Sequence, residues 1–245
     1  MSVVTVCRNA AGCLAGCVDS VALQTYADRE YLVVDGCSTD GTLDLLDRLS
    51  DRIDYWVSEP DRGLFDAMNK GIGLARGEWL LFLGADDELA DEGALEACIE
   101  ALRQAKAGGA PDPVLLYGDA VYSNGIRFRS AFTARLLLRN TIHHQASLYH
   151  RSLFDGFLYD PSLHHVADYE LNLLLYLHRR PVLRVDRLLA RCGFGGVSSD
   201  YSNRGPMIQE LNLIRGRHVS PPVQAAMRAI LGARLLGRRL LRCGS

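Results

Sequence analysis

What most constrains this chain is the regular alternation, over residues 1–105, of short apolar runs with longer helical patterns. Runs at 2–6, 31–34, 53–57 and 79–83 read as strands. Residues 13–24, 42–49, 64–75 and 92–105 carry apolar positions at helical spacing. Strands alternating with helices predict parallel βαβ units in a doubly wound α/β sheet. Such sheets bind ligands beyond the carboxyl ends of their strands. Asp35 and Asp86 both stand at such an end.

Beyond a Gly/Pro/Ala-rich seam at 105–113 the pattern is less regular. Strands are expected at 114–117, 119–122, 126–128 and 182–185, with a helix at 167–178. Polar "HHQ" at 143–145 and "FGGVSSD" at 194–200 stand apart from both patterns.

Charge is segregated along the chain. Residues 1–100 hold 20 acids against 7 bases, whereas residues 211–245 hold 7 arginines and no acid. An acidic body argues against nucleic acid as a partner. The basic tail suits peripheral contact with an anionic membrane surface. Within it, Arg228, Arg234, Arg238, Arg239 and Arg242 share one arc of a helical pattern at 221–242, although Met227, Leu231 and Leu235 project into that arc. The seven cysteines are odd in number and lack paired CxxC spacing, which reads as a reducing compartment without disulfide or zinc frameworks. No basic leader precedes the first strand, and no run approaches the roughly 20 apolar residues of a membrane span. The expected location is cytoplasmic.

Three stretches carry the chemistry. "DGCSTDGT" at 35–42 sets a carboxylate before a polar turn, suited to a ribose or heterocycle and equally to capping the next helix. "EPDRGLFDAMNKG" at 59–71 places Asp66, Asn69 and Lys70 on one helix face, either as ligand contacts or as a solvated face with an Asp–Lys pair. "FLGADDE" at 82–88 ends an apolar strand in three consecutive acids, which repel one another unless a cation sits among them. Oxygen ligands at a strand end suit Mg²⁺ or Mn²⁺ shared with substrate phosphates. Asp87, Glu88 and Asp91 would also favour the start of the helix at 92. Further on, Asp168 and Glu170 lie near a helix start, beside His164 and His165. Asp168 suits a general base or an N-cap.

Together with "VTVCRNA" at 4–10, "LYGD" at 116–119, "HHQASLYHRSLF" at 143–154 and "GGVSS" at 195–199, these stretches resemble the inverting, GT-A-fold glycosyltransferases of family 2, in the branch that builds bacterial capsule, O-antigen and exopolysaccharide. The resemblance spans about the first 200 residues. It implies a catalytic domain over 1–200, with a nucleotide-sugar half at 1–118, an acceptor half at 119–200 and a basic helical extension at 201–245. It further implies that Thr5, Asn9 and Asp35 line the nucleotide base and ribose, with Asp66 and Lys70 near the donor. Asp86 would hold Mn²⁺ or Mg²⁺ on the donor diphosphate, with Asp87 beside it toward the substrate. His144 and Gln145 would line the sugar or acceptor pocket, and Asp168 would deprotonate the acceptor hydroxyl. The donor would be a nucleotide-diphosphate sugar, UDP-linked, and the acceptor a saccharide or lipid-linked saccharide. A homo-oligomer is compatible with all of this. The chain departs from the family pattern at Gly84, where Asp is frequent, and at Ala167, where Glu is frequent. A nucleotidyltransferase would want a Gly-rich basic phosphate loop after the first strand, where "CRNAAGCLAG" offers only Arg8. A non-catalytic sugar-nucleotide binder is the other alternative.

Overall fold

A computed structural model describes residues 1–193, 204–226 and 229. The "GGVSS" stretch, and the basic pattern of 221–242 apart from 221–226 and 229, lie outside the described residues.

Strands β1 (Ser2–Cys7), β2 (Glu30–Asp35), β3 (Tyr55–Ser58) and β4 (Trp79–Gly84) pair in parallel in the order β3-β2-β1-β4. Helices α1 (Leu14–Ala22), α2 (Thr42–Arg48), α3 (Leu64–Leu74) and α4 (Ala94–Ala107) follow each strand in turn. The strands read as nearly continuous apolar runs because both faces of the sheet are covered. Alternate side chains then feed two cores. Val4, Val6, Leu32, Val34, Leu80 and Phe82 pack with Phe65 and Met68 of α3. Val3, Tyr31, Val33, Leu81 and Leu83 pack with Leu14, Val18, Leu46 and Leu95 on the other face.

The sheet does not stop at the expected seam. Strand order continues β4-β8-β6-β9-β5, and β7 pairs with β6. Here β5 is Glu88–Leu89, β6 Leu115–Tyr122, β7 Arg127–Phe128, β8 Ser147–His150 and β9 Val182–Cys192. The two strands expected at 114–117 and 119–122 are one strand, β6, so the expected division at 118/119 falls inside it. Its pairing with β9 slips on either side of Asp119. Strand β8, which the sequence pattern did not suggest, runs antiparallel between β4 and β6. Helix α5 (Ala167–Leu177) packs in the same core as α3, and α6 (Arg204–His218) lies on α5. No helix among the described residues is long and apolar enough to cross a membrane.

Parallel pairing brings the carboxyl ends of β1, β2 and β4 to one edge, with Cys7 opposite Asp35 and Val6 opposite Gly84. The loops that follow these strands meet there.

Candidate active site

On the donor side the β1 and β2 loops are laced together. Asn9 and Cys37 adopt left-handed backbone with φ 54° and 56°. The Asn9 amide donates to Ser38 Oγ at 2.7 Å, and Thr39 N–H donates to Asn9 Oδ1 at 2.8 Å. Asp40, rather than a residue at the N-cap, satisfies the first turn of α2 by accepting from Thr42 N–H at 3.1 Å.

Asp35 is fully buried. Its carboxylate accepts from Ser38 N–H at 2.9 Å, Ser58 Oγ at 2.6 Å and Ser38 Oγ. It therefore braces the loop under the expected nucleotide site. Thr5 is placed differently from the expectation. It shares the strand face of Val3, points into the α1 layer and is fully buried. Its hydroxyl accepts from Tyr31 Oη at 3.1 Å and lies 3.4 Å from Cys17 Sγ, so no part of its side chain reaches the mouth.

On α3, Asp66 pairs with Arg62 at 2.6 Å, not with Lys70. Hydrogen bonds from Arg62 hold its carboxyl below the usual range. Lys70 Nζ lies 2.9 Å from Glu59 and donates to Pro60 O at 2.6 Å. Asn69 exchanges two hydrogen bonds with the backbone of Tyr159, at 2.8 and 2.9 Å. The shared helix face thus grips the 59–62 loop and the 159 segment.

The three acids after β4 divide their work. Asp86 and Glu88 are exposed, whereas Asp87 is 3% exposed. Asp87 accepts from Gly84 N–H at 2.8 Å and from Gly193 N–H at 3.2 Å. Burial, and then the charge of Asp86, push its carboxyl above the ordinary value. Asp87 therefore turns inward, toward Gly84 and Gly193. Burial and then Asp86 likewise raise the Cys13 thiol. Gly193 lies directly against Asp86: a Cβ there would sit 2.0 Å from Oδ2.

The expected acceptor side is built on a 3-10 turn at His144–Ala146 and on the first turn of α5. Asp168, 8% exposed, is not the N-cap of α5; Val166 is. Asp168 Oδ2 accepts from Asn140 Nδ2 at 2.6 Å and lies 3.5 Å from His144 Nδ1. Asn140 Oδ1 accepts from Asn172 Nδ2 at 3.3 Å, and Asn172 Oδ1 from Tyr149 Oη at 3.1 Å. This ladder fixes Oδ2, while Oδ1 has no hydrogen bond among the described residues. Asn140 was not singled out in the sequence, and nothing around it could have marked it. Beneath the turn, His143 stacks on His144, and its Nε2 lies 3.2 Å from Tyr122 Oη.

No group of three or more His, Cys, Asp or Glu side chains that could hold a metal ion occurs among the described residues. Asp86 nevertheless presents an exposed carboxylate at a strand end, backed by glycine. One or two carboxylates completed by substrate phosphates and waters are the usual protein share of a Mg²⁺ site. The residues present fit an ion brought with a diphosphate, not one held by the protein alone.

The parallel edge, the loops over it and a carboxylate at each side form the candidate site of this doubly wound α/β fold. The family model for glycosyl transferase family 2 matches residues 2–157. A PGL/p-HBAD biosynthesis glycosyltransferase of Mycobacterium tuberculosis is 36% identical over 226 residues, covering 86% of each chain. This chain belongs to glycosyl transferase family 2. A putative teichuronic acid biosynthesis glycosyltransferase of Bacillus subtilis is 36% identical over 91 residues, 36% of each chain. Among solved structures, S. aureus TarS 1-349 in complex with UDP superposes with TM-score 0.63 at 21% identity, over 78% of this chain and 60% of that one. A Pyrobaculum calidifontis mannosyltransferase in complex with GDP-Man and Mn²⁺ gives 0.58 at 18%, over 78% and 55%. The chain thus spans little more than half the length of these structural neighbours.

Proposed function

We propose that this glycosyltransferase moves a sugar from a UDP-sugar to a hydroxyl of a saccharide or lipid-linked acceptor during assembly of a bacterial cell-surface glycan, with inversion at the anomeric carbon. The observation that carries the reading is one polar path. Exposed Asp86 adjoins Asp87, Asp87 feels the charge of His144, and His144 Nδ1 lies 3.5 Å from Asp168 Oδ2. In this reading a strand-end carboxylate serves the donor and a braced carboxylate serves the acceptor, with His144 between them.

In the displacement, Asp168 Oδ1 takes the proton of the acceptor hydroxyl as its oxygen bonds to the anomeric carbon. The bond from that carbon to the diphosphate oxygen breaks, and the nucleoside diphosphate leaves with the electron pair. A divalent cation held by Asp86, Mn²⁺ or Mg²⁺, would offset the charge on the leaving diphosphate. Asn9, Asp35, Asp66 and Lys70 would hold the loops around the nucleotide through the bonds described above. Names of relatives support the glycan setting, and the UDP-bound neighbour supports the donor. The test is release of UDP from a panel of sugar nucleotides with Mn²⁺ and glycolipid or saccharide acceptors, with NMR assignment of the anomeric configuration in product. No acceptor-dependent release from any UDP-sugar, or a product that retains configuration, would overturn the proposal.

A further inference from the structure

Helix α6 holds the start of α5 through several side chains, Glu210 foremost. Glu210 accepts three successive backbone amides just ahead of α5: His164 N–H at 2.9 Å, His165 N–H at 2.9 Å and Val166 N–H at 3.2 Å. His165 Nδ1 also lies 2.9 Å from Glu210 Oε1. Helix α5 has no side-chain cap of its own at Val166. The carboxylate from α6, some 45 residues away in sequence, instead holds the amides leading into α5, the last of them that of the N-cap residue itself, with the sign a helix N-terminus favours. A second set of contacts clamps the same turn further along. His218 Nε2 lies 2.5 Å from Glu170 Oε1, and Arg217 bridges Glu170 at 3.6 Å and Asp160 at 2.9 Å. Asp168 sits between Val166 and Glu170, so α6 grips the chain on both sides of it.

We propose that Glu210 is a positioning residue for glycosyl transfer, fixing the start of α5 and thereby the direction in which Asp168 presents Oδ1 to the acceptor hydroxyl. The proposal rests on the reading of Asp168 as the base. Proton transfer needs the base within hydrogen-bond reach of the hydroxyl. A misplacement of about 1 Å costs on the order of 100-fold in rate. Loosening three amides at once frees the turn to move by that much. The hydrogen bonds of Glu210 among the described residues all go to residues 164–166 and none to β1, β2 or β4.

The experiment compares Glu210→Ala and Glu210→Gln in the full chain, with kcat expressed per UDP-binding site counted by calorimetry. Glu210→Ala is expected to lower that kcat roughly 10- to 100-fold, with the donor KM within about twofold. Glu210→Gln, which keeps one accepting oxygen, recovers part of the loss. It also serves should the alanine variant fail to fold. In an Asp168→Asn background, Glu210→Gln should add nothing, because its effect passes through Asp168. Parental kcat per site in both variants, or losses that add to that of Asp168→Asn, would overturn the proposal. If Asp168→Asn itself keeps parental turnover, it is the base reading that falls, whatever Glu210 does.

Discussion

Asp87 folds its carboxylate back onto Gly84. Oδ2 accepts the Gly84 amide at 2.8 Å and would lie 2.7 Å from any Cβ placed on residue 84. Its other oxygen accepts Gly193 N–H at 3.2 Å, so one buried carboxylate ties the end of β4 to the end of β9. The departure from the family pattern at Gly84 thereby acquires a steric cause. The space a side chain would use is filled by the carboxylate of Asp87.

Gly84→Ala should therefore be destabilising out of proportion to one methyl group. The new Cβ displaces a buried, hydrogen-bonded carboxylate, for an expected loss of about 1–3 kcal/mol in urea unfolding. Asp87→Ala removes the obstacle, so the double variant should lose less than the two single losses added together. Strict additivity would show that the two residues do not compete for this space.

Asp86→Ala should do the opposite. Asp86 is exposed, so stability should stay within about 0.5 kcal/mol of the parent. Calorimetric titration with UDP should show tightening by Mn²⁺ in the parent and none in the variant. An Mn²⁺ effect that survives the substitution would remove Asp86 as the metal ligand.

Legibility followed the length scale of the contacts. Strands β1 to β4 and helices α1 to α4 each carry their own period in sequence, and both faces of the sheet are buried, so 2–6 or 31–34 announce themselves as apolar runs. Strand β8 is four residues long and starts as a polar 3-10 turn ends, which leaves no period to read. Strand β9 runs for eleven residues, but Arg184, Asp186, Arg187 and Arg191 interrupt its apolar pattern, so only its start was expected. Within the site, acids at strand ends were visible because carboxylates there are unusual. What each one bonds to was not. Thr5 faces the α1 layer by strand parity, Asp66 finds Arg62 before Lys70, and the carboxylate of Glu210 crosses from another helix.

Asp168→Asn should reduce kcat by roughly 10²- to 10⁴-fold, the usual worth of a positioned base. The amide is nearly isosteric and can still accept from Asn140, so the fold and the affinity for UDP should hold. Steady-state transfer and calorimetry on the same preparation separate the two. Equal losses in UDP affinity and turnover would point to a structural role instead.

His143 supplies a pH test independent of catalysis. Burial, and then the neighbouring His144, push its imidazole from an ordinary 6.5 down to about 3. Between these values the unfolded chain binds a proton that the folded chain refuses. The contribution of His143 is thus present in full above pH 6.5 and is lost as pH falls toward 3. Within that window the slope attributable to it is about 1.4 kcal/mol per pH unit. His143→Gln keeps a polar group beside Tyr122 but cannot take the proton. Urea unfolding from pH 7 downward should give a steeper decline for the parent than for the variant, with the difference opening below 6.5. Two parallel curves would mean that His143 titrates freely in the folded chain.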